Sequence, residues 1–285
     1  MIQKVAVAGA GTMGSGIALS VAISGIPVVL YDLQEVMLEK AKLALAKNLE
    51  VLFQKGKISG GQRNEISNRV TYTSRVEDVI ADLVIEAIIE KLPAKVELFT
   101  QLAAVNNSNT IFASNTSSLS ITAIQRSITA PERVAGLHYF NPAQIMKLVE
   151  VVKGERTSGT VIEQLVQFTK AQGKVPVVCL DSPGFIVNRV ARHFYLESMK
   201  LVEDGVASIE DVDSILEASG FKMGPFKLMD MIGMDINLAV TESLYEAFDN
   251  HIRFKPRKLQ IDKVAGNELG RKSGKGFYNY NNATP

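Results

Sequence analysis

Lys4-Val5-Ala6-Val7-Ala8, then Gly9-Ala10-Gly11-Thr12-Met13-Gly14, then Val28-Val29-Leu30-Tyr31-Asp32 are the segments that decide how this chain is read. A short apolar run reads as a strand, three glycines open a helical stretch from Ser15 to Ser24, and an acid closes a second apolar run. A GxGxxG pattern between strand and helix, with an acid roughly 20 residues further on, is the signature of a dinucleotide-binding βαβ unit. Each glycine has a separate task there. Gly9 permits the tight turn, Gly11 lets the backbone approach a pyrophosphate, and Gly14 lets helix and strand pack closely. The pyrophosphate meets the N–H groups and the positive dipole end where the helix opens, so Thr12 and Met13 join the three glycines as candidate cofactor residues. The Asp32 carboxylate can accept hydrogen bonds from both ribose hydroxyls and would repel a 2′-phosphate. No arginine follows it in Leu33-Gln34-Glu35, so NAD is expected rather than NADP.

Outward from this unit, short apolar runs alternate with helical stretches. Leu83 to Ala87, Thr110 to Ala113, Arg133 to His138, Lys147 to Lys153 and Lys174 to Leu180 read as strands. Glu35 to Gln54, Pro93 to Val105 and Thr157 to Gln172 read as helices, with Pro93 in a first turn where its missing N–H costs nothing. Such alternation argues for a Rossmann-type, doubly wound, mostly parallel sheet. After Asp181-Ser182-Pro183-Gly184 strand signals stop. Ile186 to Glu203, Ser208 to Ser219, Leu228 to Phe248 and Pro256 to Ala265 are helix-like, and Ser208-Ile209-Glu210-Asp211 resembles a capping motif. The expectation is an α/β domain over residues 1–182 and an all-helical domain over residues 183–285, joined at Pro183-Gly184. The final Asn281-Asn282-Ala283-Thr284-Pro285 is expected to fray.

Composition narrows the function classes. The chain has 285 residues, 46% hydrophobic and 21% charged, as in a globular protein with a sizeable core. Thirty-one Lys+Arg against 30 Asp+Glu leave a net charge of +1, which gives no electrostatic reason to expect nucleic acid or a membrane surface as partner. The single cysteine, Cys179, excludes an internal disulfide and lies in an apolar run, where it reads as a buried structural thiol. No signal peptide is expected before the first strand, and no apolar stretch approaches the roughly 20 residues that span a bilayer. The chain is read as soluble and cytoplasmic, with a processed mitochondrial matrix form left open.

Hydride transfer between an alcohol and NAD needs a group to take the hydroxyl proton, and histidine suits that task near neutral pH. Of three histidines, His193 and His251 are read as lying in helical stretches, with no chemical role. His138 ends a strand, at the sheet edge where ligands bind in open α/β folds. Its surroundings carry further motifs: Ser114-Asn115-Thr116-Ser117-Ser118, His138-Tyr139-Phe140-Asn141-Pro142, Leu148-Val149-Glu150-Val151, Gly184-Phe185-Ile186-Val187-Asn188-Arg189, Met223-Gly224-Pro225-Phe226, and Gly270-Arg271-Lys272-Ser273-Gly274-Lys275-Gly276-Phe277-Tyr278. Together with Gly9 to Gly14 these resemble the L-3-hydroxyacyl-CoA dehydrogenase family, including its bacterial 3-hydroxybutyryl-CoA members, over essentially the whole chain.

The resemblance implies that His138 is general base in oxidation and general acid in reduction, with Glu150 on its other imidazole nitrogen. It implies that Ser117 and Asn188 complete the polar pocket around the reacting oxygen, that Glu90, Lys95, Asn141 and Lys272 contact the cofactor, and that Lys55 meets CoA phosphates. Alone, Glu150 reads as a surface carboxylate, Ser117 as a helix cap and the Lys55-Gly56-Lys57 cluster as a solvated face. Asn48 stands where the family has a serine. An acyl-CoA substrate and a homodimer formed through the helical domain are also implied. Two other readings stay open: a dehydrogenase of free hydroxy acids or sugar acids such as L-gulonate, and a non-catalytic NAD-binding protein.

Overall fold

The structure is a computed structural model describing residues 2–280, so the Asn281–Pro285 tail lies outside the described residues. Eight strands, β1 (Val5–Ala8), β2 (Val28–Tyr31), β3 (Val70–Thr73), β4 (Leu83–Glu86), β5 (Ile111–Ser114), β6 (Val134–Tyr139), β7 (Leu148–Lys153) and β8 (Val175–Leu180), form one sheet. Their order is β3-β2-β1-β4-β5-β6-β7-β8, and every pairing is parallel except that of β6 with β7. Every residue of β1, β2, β4, β5 and β6 is buried, which explains the near-continuous apolar runs. Apart from Tyr31 and Tyr139, the polar exceptions are Glu86, Ser114 and His138, which stand at or next to the carboxyl ends of their strands.

Helices cover both faces. On one side α1 (Thr12–Ile23), α2 (Glu35–Gln54), α3 (Gly60–Asn68) and α6 (Gly159–Ala171) bury Ile17, Leu45, Ile66, Leu165 and Phe168 against Val7, Leu30 and Ile85. On the other lies α4 (Leu92–Val105), whose Phe99 meets Phe112 of β5 edge-on with centroids 5.7 Å apart. A short α5 (Ile121–Gln125) follows β5. Three elements of this unit are missing from the sequence reading, the five-residue α5 among them. β3 is an edge strand with one buried residue, so Val70-Thr71-Tyr72-Thr73 carries no continuous apolar run. α3 is short and polar, yet it opens with a complete capping box between Ser59 and Gln62. α1 begins at Thr12, inside the glycine motif rather than at Ser15.

Residues through Ser182 form one compact unit and those from Pro183 a second. The second contains α7 (Val187–Glu203), α8 (Ile209–Ala218), α9 (Pro225–Ile232), α10 (Met234–Ala247) and α11 (Lys258–Ala265). Tyr195, Leu196, Met199, Val212, Phe226, Met229 and Met234 make its core. Ser208 caps α8 by accepting from the Asp211 N–H, as the motif suggested. The single helix read over Leu228 to Phe248 is instead two, because Gly233 at φ 104° breaks it. Two buried aspartates explain the glycine-rich motifs here. Asp213 accepts from the N–H groups of Phe226 and Lys227 at 2.9 and 3.0 Å, and from the Tyr278 hydroxyl at 2.8 Å. Asp230 accepts from the N–H groups of Phe277 and Tyr278, both at 2.9 Å. No described helix is long and apolar enough to cross a membrane.

Candidate active site

The glycine loop joins β1 to α1. Gly9 takes φ +105°, and a Cβ on Gly14 would stand 1.7 Å from the Gly9 carbonyl oxygen, so strand and helix approach as closely as backbone allows. Gly11 is different: a Cβ there would meet nothing within 4 Å. That open space lies directly at the N-cap of α1, whose unpaired N–H groups and dipole suit an anion. A cleft of about 570 Å³ continues from Gly9 and Gly11 past Asp32 to Ile88, Ile89 and Gln101. The Asp32 carboxylate is fixed at its mouth, accepting from the Ala10 N–H at 2.8 Å and the Gln34 N–H at 2.9 Å. Exposed glycine backbone, a helix N-terminus and an oriented acid fit the pyrophosphate and ribose of a dinucleotide.

The same sheet builds a proton-transfer site. β6 and β7 are antiparallel, and their register pairs His138 directly with Glu150. Opposed residues of an antiparallel pair project to the same face, so the two side chains must meet. His138 Nδ1 lies 2.7 Å from Glu150 Oε2, with 6% of the histidine and 1% of the glutamate exposed. A carboxylate only accepts, so Nδ1 carries the proton and Nε2 is the nitrogen that can take up another. The Phe140 ring stands 4.4 Å from the imidazole. At the end of β6 the Tyr139 N–H donates to Asn115 Oδ1 at 2.8 Å, tying this strand to the turn after β5.

That turn carries Ser117, and its cap is elsewhere: Ser120 is the residue that accepts from the first turn of α5. Glu90 organises it. One oxygen, Oε1, accepts from the Thr116 hydroxyl at 2.5 Å, the Ser117 N–H at 3.0 Å, the Ser118 hydroxyl at 3.1 Å and the Ser118 N–H at 3.3 Å. Burial alone would raise the Glu90 carboxyl, but the Lys95 ammonium and the bonds from Thr116 and Ser117 outweigh it and hold it below the usual carboxylate range. Glu90 lies four residues beyond the end of β4 at Glu86. Lys95, expected at the cofactor, is 1% exposed, and its ammonium is bonded to Glu86 at 2.6 Å and to Glu90 at 3.1 Å. Glu86, Ser114 and Thr116 join this turn through their side chains, a part that sequence reasoning did not assign to them. An acid and a serine closing otherwise apolar strands were the available signal.

A second cleft, of about 420 Å³, lies beside the glycine loop and is lined by Thr12, Ser15, Lys40, Asn48, Asn141 and Gln144 among others. Asn48 donates to the Ala44 carbonyl at 2.9 Å. Lys55 is the exposed C-cap residue of α2. The Asn141 segment is anchored by the buried Lys174, which donates to the carbonyls of Ala143 at 2.6 Å and Met146 at 2.8 Å. In the second unit Asn188 lies in the first turn of α7, and Lys272 pairs with Asp235 at 2.5 Å.

The remaining candidates separate clearly from His138. His193 sits 3.2 Å from the Arg253 guanidinium, and burial together with Arg253 and Arg189 lowers its pKa. His251 is not in a helix; it caps the short turn Ile252–Phe254. Cys179 is half-buried on the edge strand β8 rather than fully buried, and burial, Glu150 and Asp181 push its thiol up to about 11, which keeps it protonated and unreactive. Among the described residues no group of three or more His, Cys, Asp or Glu could hold a metal ion.

Comparison with known proteins agrees with this geometry. Residues 4–182 match the family described as 3-hydroxyacyl-CoA dehydrogenase, NAD binding domain, and residues 184–280 match 3-hydroxyacyl-CoA dehydrogenase, C-terminal domain. The chain belongs to the 3-hydroxyacyl-CoA dehydrogenase family. Among its relatives in that family is a 3-hydroxyadipyl-CoA dehydrogenase of Escherichia coli (strain K12), 46% identical over 98% of this chain and 59% of that protein. A 3-hydroxybutyryl-CoA dehydrogenase of Clostridioides difficile is 40% identical over 98% of this chain and 100% of its own length. A crystal structure of 3-hydroxybutyryl-CoA dehydrogenase from Escherichia coli K12 superposes with a TM-score of 0.96 at 45% identity, covering 100% of this chain and 61% of that one. The chain thus spans about three-fifths of the E. coli relatives and the full length of the clostridial dehydrogenase.

Proposed function

We propose that the chain is an NAD-dependent dehydrogenase that interconverts an L-3-hydroxyacyl-CoA and the corresponding 3-ketoacyl-CoA, with the four-carbon pair 3-hydroxybutyryl-CoA and acetoacetyl-CoA as substrates. The observation that carries this reading is the buried His138–Glu150 pair, 2.7 Å apart on the sheet that also presents the open glycine loop. When bound at the glycine loop, NAD would supply the hydride acceptor for oxidation and, as NADH, the hydride donor for reduction. His138 Nε2 takes the proton from the 3-hydroxyl during oxidation and gives it back to the carbonyl oxygen during reduction. Glu150 accepts from Nδ1, fixes the tautomer and stabilises the imidazolium that forms. Ser117 and Asn188 supply hydrogen bonds to the oxygen whose charge changes. Glu90, Asn141 and Lys272 are assigned to the cofactor, and Lys55 to CoA phosphates, with Asn48 in place of the family's serine.

We further assign a homodimer formed through the helical unit, which presents Val190, Val206, Ile215 and Phe221 to its surface, and action in the cytoplasm. Light scattering of the purified chain checks the first: a dimer mass is expected. The activity is tested by following NADH absorbance with acetoacetyl-CoA, free acetoacetate and NADPH in parallel. Rapid oxidation of NADH by acetoacetyl-CoA alone is expected. A preference for the free acid would move the assignment to a dehydrogenase of hydroxy acids.

Glu150→Gln tests the pair separately. An amide can donate to Nδ1, which places the imidazole proton on Nε2, the wrong nitrogen for a base. Turnover should fall at least about 100-fold and the pH profile of the rate should shift. An unaltered profile removes Glu150 from the reaction.

A further inference from the structure

Glu86 is an acid to which the reaction gives no task, yet it is 0% exposed at the carboxyl end of β4. Both of its oxygens are committed. Oε1 accepts from Lys95 Nζ at 2.6 Å and from the Ile88 N–H at 2.7 Å, and Oε2 accepts from the Ser114 hydroxyl at 2.6 Å. Lys95 is buried equally deeply and places its ammonium 3.1 Å from Glu90 Oε2. The other oxygen of Glu90 holds Thr116, Ser117 and Ser118. A shorter link closes the circuit, because the Ser114 hydroxyl oxygen also accepts from the Thr116 N–H at 3.2 Å. One chain of charge-assisted contacts therefore runs from β4 through α4 to the backbone of the turn that carries Ser117.

We propose that the buried Glu86–Lys95 ion pair is the mount for Ser117, acting through Glu90. In this network Lys95 acts as a positioning residue. A buried ammonium keeps its charge only while a carboxylate faces it. With Glu86 in place, Lys95 shares itself between two acids, and Glu90 stays where it can accept from the Ser117 and Ser118 N–H groups. Without the Glu86 charge, the ammonium has Glu90 as its one acidic partner in the network and draws that carboxylate off the turn. The inference rests on the reading of Ser117 as the residue that meets the reacting oxygen, so its test includes a measurement independent of turnover.

The variants are Glu86→Gln, Lys95→Met and the double replacement Glu86→Leu with Lys95→Met, each compared with the parent by melting temperature first. Hydrogen exchange of the cofactor-free protein is read on a peptide covering residues 115–119. Exchange at Ser117 and Ser118 should quicken about tenfold in Glu86→Gln while the β1 amides stay unchanged. In steady state, kcat for acetoacetyl-CoA should fall about tenfold or more with its KM within about threefold, because a displaced turn costs the transition state rather than the ground state. The double replacement should cost no more than the worse single one.

Should Glu86→Gln fail to fold, Thr116→Val cuts the far end of the chain and leaves the buried pair intact, with the same exchange and kcat effects expected. Unchanged exchange at Ser117 overturns the proposal. So does multiplicative loss in the double replacement. A parent chain inactive on acetoacetyl-CoA would count against the proposed substrate, and the exchange experiment would still decide the mount.

Discussion

His138→Gln is expected to lower acetoacetyl-CoA turnover by about three orders of magnitude while leaving NADH binding within about threefold of the parent. Glutamine fills much of the same volume and can keep a hydrogen bond to Glu150, but it cannot take or give a proton at neutral pH. The site is buried, with His138 6% exposed and Glu150 1%, so bulk water is poorly placed to replace the imidazole. The glycine loop that seats the cofactor comes from β1 and α1 and contains none of these atoms, which is why binding should survive. Steady-state kinetics together with NADH fluorescence titration check both halves. Near-parent turnover would remove His138 from the chemistry.

The second large effect divides the glycine motif into two kinds of position. Gly14→Ala puts a methyl 1.7 Å from the Gly9 carbonyl oxygen, and both atoms belong to packed backbone that cannot rotate away. The helix must part from the strand, at a cost of about 3 kcal/mol or more. For a chain of this size that lowers the melting temperature by at least about 6 °C. Gly11→Ala meets nothing within 4 Å and takes φ −67°, which alanine adopts readily. Its melting temperature should match the parent's. Its methyl would stand in the open space at the N-terminus of α1, so NADH affinity should drop at least about tenfold. Thermal melts and titrations of the pair separate fold from ligand seat. Equal stability of the two variants would contradict the packing assigned to Gly14, and unimpaired NADH binding by Gly11→Ala would move the pyrophosphate elsewhere.

What the sequence disclosed follows from where each residue sits. Central strands are buried on both faces, so Val5 to Ala8 and Leu83 to Ile85 announce themselves as apolar runs, whereas the edge strand at Val70 to Thr73 does not. The break at Gly233 was hidden because apolar residues continue at helical spacing across it, and a single glycine in such a pattern is usually tolerated. His138 was legible from its strand-end position. Its pairing with Glu150 required the antiparallel register of β6 and β7, which the family resemblance supplied and no local pattern does. The network behind Ser117 was the least legible. Glu86, Lys95 and Ser114 come from three elements, and only the parallel register of β4 with β5 brings Glu86 beside Ser114. Reading Lys95 from resemblance alone placed it on the cofactor; its buried contacts with Glu86 and Glu90 were not legible that way.

The proposed reaction requires hydride to pass between the nicotinamide and C3 of an acyl-CoA. The direct measurement uses NADH carrying two deuterons at the nicotinamide C4, with acetoacetyl-CoA and the purified chain, followed by NMR of the product. One deuteron at C3 of 3-hydroxybutyryl-CoA is predicted, with NADH consumed in equal amount. NADH left unoxidised, or a product without deuterium at C3, would contradict it.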